Sequence, residues 1–104
     1  MFTLTEAAQK QVMVSAELGE AVGDPLRLAA KRKEDGSIDY LMGFDQAQDS
    51  DIRVECGEVV IIFASEYRSL LEGATMDYVE IESGEHRFIF LNPNDETYIP
   101  PSES

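Results

Sequence analysis

The chain has 104 residues, 43% of them hydrophobic, and a net charge of -13 that comes from 21 acidic and 8 basic residues. This size suits a single domain with one packed core, since domains usually have about 100 to 150 residues. The acidic surface would repel a phosphate backbone, which disfavours nucleic-acid binding. The longest apolar run, Val59 to Ala64, is far shorter than the roughly 20 residues of a transmembrane helix, and the N-terminus lacks a secretory pattern, so we expect a cytoplasmic protein without a membrane partner.

The first part of the chain predicts a helix followed by a β-hairpin. Thr3 or Thr5 can cap a helix from about Glu6 to Leu18, and Thr3 with Glu6 fits a capping box. Apolar residues with a period of two then predict two paired strands on either side of a polar turn at Asp35-Gly36. The alternating residues are Leu26, Leu28 and Ala30 in the first strand and Ile38, Tyr40, Met42 and Phe44 in the second.

The second part predicts two further hairpins separated by a short helix. Segments 52–55 and 58–63 flank a tight turn at Cys56-Gly57, and the apolar run predicts a strand buried on both faces. Ser65 can cap a helix of about two turns that ends at Gly73 in a left-handed conformation. Segments 76–82 and 87–91 predict the last strands, and a turn follows. We predict one domain over residues 1–94 and a flexible C-terminal tail over residues 95–104, since the tail has little to bury.

A single cysteine, Cys56, and a single histidine, His86, limit the metal, redox and catalytic chemistry. One cysteine cannot form an internal disulfide, which fits a reducing cytosol, and no Cys/His set has the spacing of a zinc or cluster site. Glu55 and Glu58 would raise the pKa of the Cys56 thiol, so we interpret it as an unreactive turn residue. No serine or cysteine is placed to act as a nucleophile with His86, and we predict no enzyme.

Asp45, Asp49 and Asp51 form an acidic group that resembles part of a calcium loop. A complete calcium loop also uses a glycine and a terminal glutamate to finish its oxygen coordination, and this spacing provides neither. The group therefore does not predict a metal site.

Three of the 8 basic residues are consecutive in the sequence, at Lys31, Arg32 and Lys33. On a strongly acidic chain such a cluster can steer an acidic partner or a second copy of the protein. We predict these three residues, together with the C-terminal tail, as candidate partner contacts. The alternative is a charged hairpin end that water keeps soluble.

A series of short motifs carries a family resemblance. In chain order they are Leu4-Thr5-Glu6-Ala7-Ala8; Leu26-Arg27-Leu28; Tyr40, Met42, Phe44 and Asp45; Gly73, Asp77 and Tyr78; Phe88 and Phe90; and Asn92-Pro93-Asn94. At nearly gap-free spacing, the series resembles the A-type iron-sulfur carriers, the HesB or IscA-like family. The resemblance implies an α+β HesB-like domain with mostly antiparallel, sandwich-like sheets, an N-terminal helix and one short later helix.

The cysteines that hold a cluster in that family have no counterpart in this chain. Family members carry one cysteine in the loop before the Tyr-x-Met-x-Phe strand and a Cys-Gly-Cys pair in the C-terminal tail. Aligned on the motifs, these lost ligand positions are Asp35, Ile99 and Pro101. Clusters need soft thiolate ligands, usually about four, so we predict neither a cofactor nor a metal site.

These features together predict an accessory or regulatory protein that acts through protein contacts and does not bind iron or a cluster. Among relatives without the ligand cysteines, the chain resembles the IscA-like protein associated with dissimilatory sulfur oxidation in phototrophic sulfur bacteria, which implies a role linked to sulfur oxidation. The alternative is a cluster carrier or iron donor that uses Asp35 or Cys56 as a non-standard ligand. We expect a monomer or weak homodimer that binds a protein partner.

Overall fold

The computed structural model describes residues 2–95 and has the predicted α+β architecture. The predicted tail therefore lies outside the described residues from position 96 onward. No helix between positions 2 and 95 is long and apolar enough to cross a membrane. The elements are β1 Thr3–Leu4, α1 Glu6–Leu18, β2 Leu26–Arg32, β3 Ile38–Phe44, β4 Asp51–Cys56, β5 Val59–Ala64, α2 Arg68–Leu71, β6 Thr75–Glu82 and β7 Glu85–Leu91.

The strands form two mixed sheets, one with the order β1-β6-β7 and the other with the order β3-β2-β5-β4. The three hairpin pairs, β2–β3, β4–β5 and β6–β7, are antiparallel. The β1–β6 and β2–β5 pairs are parallel. The prediction that the sheets are mostly antiparallel is thus confirmed. The two parallel pairs could not be predicted, because side chains alternate in the same way in both kinds of pairing.

The first helix begins at the second of the two candidate capping threonines. The hydroxyl oxygen of Thr5 accepts a hydrogen bond from the Ala8 amide at 3.2 Å and so satisfies one free donor of the first turn. The capping box of Thr3 with Glu6 is therefore wrong, because Thr3 belongs to β1. Helix α1 ends at Leu18, as predicted, with Gly19 as its C-cap, and its buried face consists of Ala8, Val12 and Ala16.

One hydrophobic core receives side chains from the first helix and from both sheets. Its completely buried members include Ala8 of α1, Leu28 of β2, Ile61 of β5 and Met76 of β6. Strand β5 has a neighbour on each side, so it is internal, and side chains on both of its faces are buried. This position explains the uninterrupted apolar run in its sequence.

The turns lie close to the predicted positions, but Cys56 belongs to β4, so the second hairpin turns at residues 57–58 and the interpretation of Cys56 as a turn residue is wrong. Gly57 has a φ of 66° in the β4–β5 turn, and a Cβ atom there would collide with the side-chain amide of Gln9. Gly73 is left-handed after α2, as predicted. Ser65 does not cap the short helix, because it begins a 3-10 turn whose cap, Ala64, has no side-chain acceptor.

Candidate functional site

The β2–β3 turn and the turn that follows β7 meet at one end of the molecule. We call residues 31–38 together with residues 92–95 the hairpin-tip site. The Lys33 amide donates to the Ser37 carbonyl at 2.8 Å, and the Gly36 amide donates to the Lys33 carbonyl at 3.0 Å. Gly36 has a φ of 87°, which explains why glycine stands in this tight turn.

Two side chains join the halves of the hairpin-tip site. The Arg32 guanidinium donates to the carbonyl oxygens of Gly36 and Asn94, each at 2.8 Å. The Asp95 carboxylate accepts from the Ile38 amide at 3.0 Å. The chain that leaves β7 is therefore held against the loop in which the resemblance places the first lost cysteine.

Asp35, which stands at that lost position, is occupied by its own loop. Its Oδ1 atom accepts from the Ser37 amide at 2.9 Å and from the Ser37 hydroxyl at 2.5 Å. These hydrogen bonds, the hydroxyl first, lower the pKa of the Asp35 carboxyl from its ordinary value. Ile99 and Pro101, the other two lost ligand positions, lie outside the described residues.

The three consecutive basic residues do not share one environment. Arg32 faces the C-terminal turn, while Lys31 is directly opposite Asp39 in the β2–β3 ladder and lines a hollow beside Leu41. The Lys33 ammonium lies 3.6 Å from the Asp39 carboxylate, and both side chains are exposed. Lys31 and Lys33 thus offer charge to solvent, whereas Arg32 positions the backbone.

Asn92 fixes the turn after β7 to two other elements. Its side-chain amide donates to the Leu70 carbonyl at 2.6 Å and to the Tyr40 hydroxyl at 3.0 Å, and its Oδ1 accepts from the Asn94 amide at 2.9 Å. Asn92 is only 1% exposed, so these bonds form away from competing water. Burial raises the pKa of the Tyr40 phenol, whose ring is stacked on Phe90 at 3.9 Å. Sequence reasoning treated Asn92 as a turn residue and missed this role.

The donor atoms at the hairpin tip do not fit an iron-sulfur cluster, which needs soft thiolate ligands. Within residues 2–95 no three His, Cys, Asp or Glu side chains are grouped to hold a metal ion. Cys56, the one cysteine in the sequence, ends β4 and is buried, and its thiol donates to the Phe2 carbonyl at 3.7 Å. Burial raises the pKa of the Cys56 thiol, so the cause is desolvation rather than the neighbouring glutamates that we had invoked. His86 is exposed on β7, where its ring stacks on Tyr78 at 5.6 Å.

The acidic group near residues 45–51 surrounds an arginine. The Arg27 guanidinium donates to both oxygens of the Asp51 carboxylate, at 2.8 and 2.7 Å, and to the Asp45 carboxylate at 2.6 Å. The pKa of Asp51 is lowered to about 2, mainly by Arg27 and then by the Gln48 amide. Arg27 occupies the position between the buried Leu26 and Leu28, where alternation predicts a polar side chain, so the local pattern gave no sign of its pairing with Asp51.

Comparisons with known proteins support the family resemblance. No protein-family model matches the chain. An uncharacterized protein in the nifU 5′ region of Azotobacter vinelandii is 33% identical over 98 residues, which cover 90% of this chain and 88% of that protein. A crystal structure of IscA with the [2Fe-2S] cluster is similar with a TM-score of 0.74 and 26% identity, over 89% of this chain and 86% of IscA.

Two further solved structures share the fold. Escherichia coli SufA, which is involved in the biosynthesis of iron-sulfur clusters, has a TM-score of 0.67 and 21% identity over 89% of this chain and 86% of SufA. An Aquifex aeolicus protein solved by NMR has a TM-score of 0.67 and 24% identity over 88% and 91% of the two chains. The chain therefore belongs to the IscA/SufA-like iron-sulfur cluster assembly family.

Proposed function

We propose that this protein is an accessory or regulatory member of its family that acts through protein contacts and holds neither iron nor an iron-sulfur cluster. It works in the cytoplasm as a monomer or weak homodimer and performs no catalysis. Its protein partner docks on the exposed charges of Lys31 and Lys33, together with the C-terminal tail. Neither nucleic acid nor a membrane is among its partners.

The observation that carries this proposal is the chemistry of the hairpin-tip site. Where the family resemblance places a thiolate, this chain has Asp35, whose carboxylate already accepts two hydrogen bonds from Ser37. Arg32 adds a fixed positive charge to the same turn through its bond to Gly36. A cationic guanidinium repels ferrous iron, and a single hard carboxylate is a poor ligand for a cluster.

The competing function is a cluster carrier or iron donor with non-standard ligands. Asp35 would have to release its Ser37 hydrogen bonds to become a ligand. Cys56 would have to leave the core, where it is 7% exposed, to reach a metal. Either rearrangement would break stabilising contacts and would supply one ligand per chain. The geometry therefore supports a function without bound metal.

A narrower role in dissimilatory sulfur oxidation, as in the IscA-like protein DsrR, is part of the proposal. Its support is the family membership together with the lost ligand positions, since an IscA-like scaffold without thiolates needs a task other than cluster transfer. Cys56 remains in the chain, so the protein is not strictly free of cysteine.

Anaerobic reconstitution with ferrous iron and sulfide tests the proposal directly. We expect a folded, colourless protein with no stoichiometric iron or acid-labile sulfide after desalting. The matched control is the triple variant D35C/I99C/P101C, which restores thiols at the three lost ligand positions and should gain visible absorbance. Stoichiometric iron in the natural protein would contradict the proposal, most clearly if Cys56→Ser left that iron unchanged.

The docking surface is tested by capture of partners from native extract on two charge-reversed variants. K31E/K33E removes both exposed ammonium groups and leaves Arg32, which holds the Asn94 carbonyl, in place. We expect this variant to lose the specific partner, while Lys10→Glu on the helix surface retains it. Recovery of the same partner by K31E/K33E would remove these lysines from the proposed docking surface.

A further inference from the structure

Strand β4 is an edge of the four-stranded sheet, because β5 is its one neighbour among the strands of residues 2–95. Three consecutive residues of β4, Ile52 to Val54, line a cavity of about 460 Å³. Because side chains alternate between the two faces of a strand, a cavity lined by three consecutive residues runs along the strand edge. The backbone groups on that side of β4 therefore face an open cleft.

The floor of the cleft is apolar and firmly packed. Phe2, Phe63 and Leu71 line it, and their exposed fractions are 2%, 4% and 1%. These side chains belong to the hydrophobic core, so the floor exists before any partner binds. A cleft of this size and lining can receive an apolar side chain without rearrangement, which lowers the entropy lost on binding.

The rim of the cleft carries two arginines, Arg53 and Arg68. Four other basic residues, Lys10, Arg27, Lys33 and Arg87, form ion pairs, and Arg32 binds backbone carbonyls. Arg53 and Arg68 form none with the carboxylates of residues 2–95, although Arg68 attracts Glu72 of the same rim at longer range. Two basic side chains that form no ion pair within residues 2–95 thus line one cleft in a protein of net charge -13.

We propose that an extended, acidic segment of a partner protein adds as a strand to the open edge of β4, with an apolar side chain on the cleft floor and carboxylates on Arg53 and Arg68. Strand addition supplies affinity through main-chain hydrogen bonds and specificity through pockets for alternate side chains. An acidic segment meets opposite charge at this rim and like charge over most of the remaining surface, which directs it to this edge.

This inference rests on the proposed function, because it names a second docking surface for a protein that works through contacts. The surface is separate from the hairpin-tip site. Lys31 and Lys33 belong to the β2–β3 hairpin, whose strand β3 is the opposite edge of the same sheet. Substitutions at one surface therefore leave the other surface intact, so binding to each can be measured separately.

The test uses fluorescence anisotropy with the full chain and a short labelled peptide in which glutamate alternates with valine and isoleucine. We expect saturable binding that weakens at least about tenfold in the R53E/R68E variant, where two attractive pairs become repulsive. Arg87→Glu, which carries the same kind of charge reversal on the other sheet, is the matched control and should bind as the natural protein does.

Two altered peptides separate strand addition from simple charge attraction. A peptide with lysine in place of glutamate should not bind, and a peptide with N-methyl groups along one edge should lose affinity because it cannot pair with β4. Equal binding of the N-methylated peptide, absence of any binding, or equal affinity of R53E/R68E and Arg87→Glu would each overturn the inference. Iron content after reconstitution is measured separately, so a protein that loads iron but binds the peptide would refute the proposed function and leave this inference standing.

Discussion

The two ends of β2 each carry an arginine that holds a loop, and the two arginines do so through different chemistry. Arg27, near the start of the strand, binds the carboxylates of Asp45 and Asp51. Arg32, at its end, binds the backbone carbonyls of Gly36 and Asn94. Carboxylates lose their charge in acid and carbonyls have none to lose, so the contacts at the first end depend on pH while the carbonyl bonds at the second do not.

The comparison shows how each loop is held in place. At the Arg27 end, the carboxylates that resemble part of a calcium loop neutralise an arginine and fix the β3–β4 connection. At the Arg32 end, the turn in which the family resemblance places a lost ligand position is fastened by protein hydrogen bonds. Both loops are therefore held by contacts within the chain.

The largest effect is expected at the hairpin-tip end from Asn92→Ala. This change removes the amide that bonds to Tyr40 and Leu70, and it leaves buried polar groups without partners. We expect the free energy of unfolding to fall by about 3 kcal/mol, as measured by urea denaturation. Asn94→Ala, at a half-buried position in the same turn, removes bonds to the Glu72 and Leu70 carbonyls and should cost less, because the freed groups can reach water. A loss from Asn92→Ala below about 1 kcal/mol would mean that Asn92 does not fasten the tip.

A smaller loss is expected at the other end from Arg27→Met, which keeps the apolar stem and removes the guanidinium. The Asp51 side chain, 4% exposed, would then lie without its charged partner. We expect the Tm at neutral pH to fall by about 5 °C. Arg87→Met, whose ion pair with Glu85 is exposed, serves as the matched control and should change the Tm by less than about 1 °C, since exposed pairs contribute little. Equal Tm shifts in the two variants would show that the Arg27 network stabilises the protein no more than the exposed Arg87–Glu85 pair does.

The pH dependence sharpens the same comparison. The pKa of Asp51 is lowered from 3.8 to about 2 in the folded protein, and the pKa of Asp45 is lowered as well. A carboxyl with a depressed folded pKa stabilises the protein above its unfolded pKa, and this stabilisation is lost as the pH falls toward the folded pKa. We expect the Tm of the natural protein to fall more steeply than that of Arg27→Met between about pH 4 and pH 2, where the Arg27 contacts are lost. Parallel Tm curves over that range would show that the Arg27 network does not control acid stability.

The smallest effect is expected from Arg32→Ala, which removes the bonds to Gly36 and Asn94 at an exposed position. We expect a loss of about 1 kcal/mol, measured by urea denaturation, because the freed carbonyls can bond to water. Lys31→Ala on the neighbouring residue should have almost no effect. Hydrogen exchange gives a local readout, since the Ile38 amide that donates to Asp95 should exchange faster only in Arg32→Ala. Unchanged exchange would mean that Arg32 does not hold the C-terminal turn.

The sequence by itself determined the local elements and the ligand chemistry. Periodicity and turn residues placed the first helix, the three hairpins and the short helix, because these signals come from neighbouring residues. The motif series indicated the family, and Asp35, Ile99 and Pro101 stand where the resemblance places the family's cysteines. Donor atoms are a property of residue type, so no fold was needed to count them.

Only the tertiary structure decided which residues meet across the chain. Arg27 reaches Asp51 over 24 positions, and Asn92 reaches Tyr40 over 52 positions. The tertiary structure also distinguished Arg32, which positions the backbone, from the exposed Lys31 and Lys33. Three adjacent cations look alike in the sequence. The physical reason is that alternation tells which face a side chain occupies, whereas its neighbours depend on strand order and on parallel pairings that leave no trace in the local pattern.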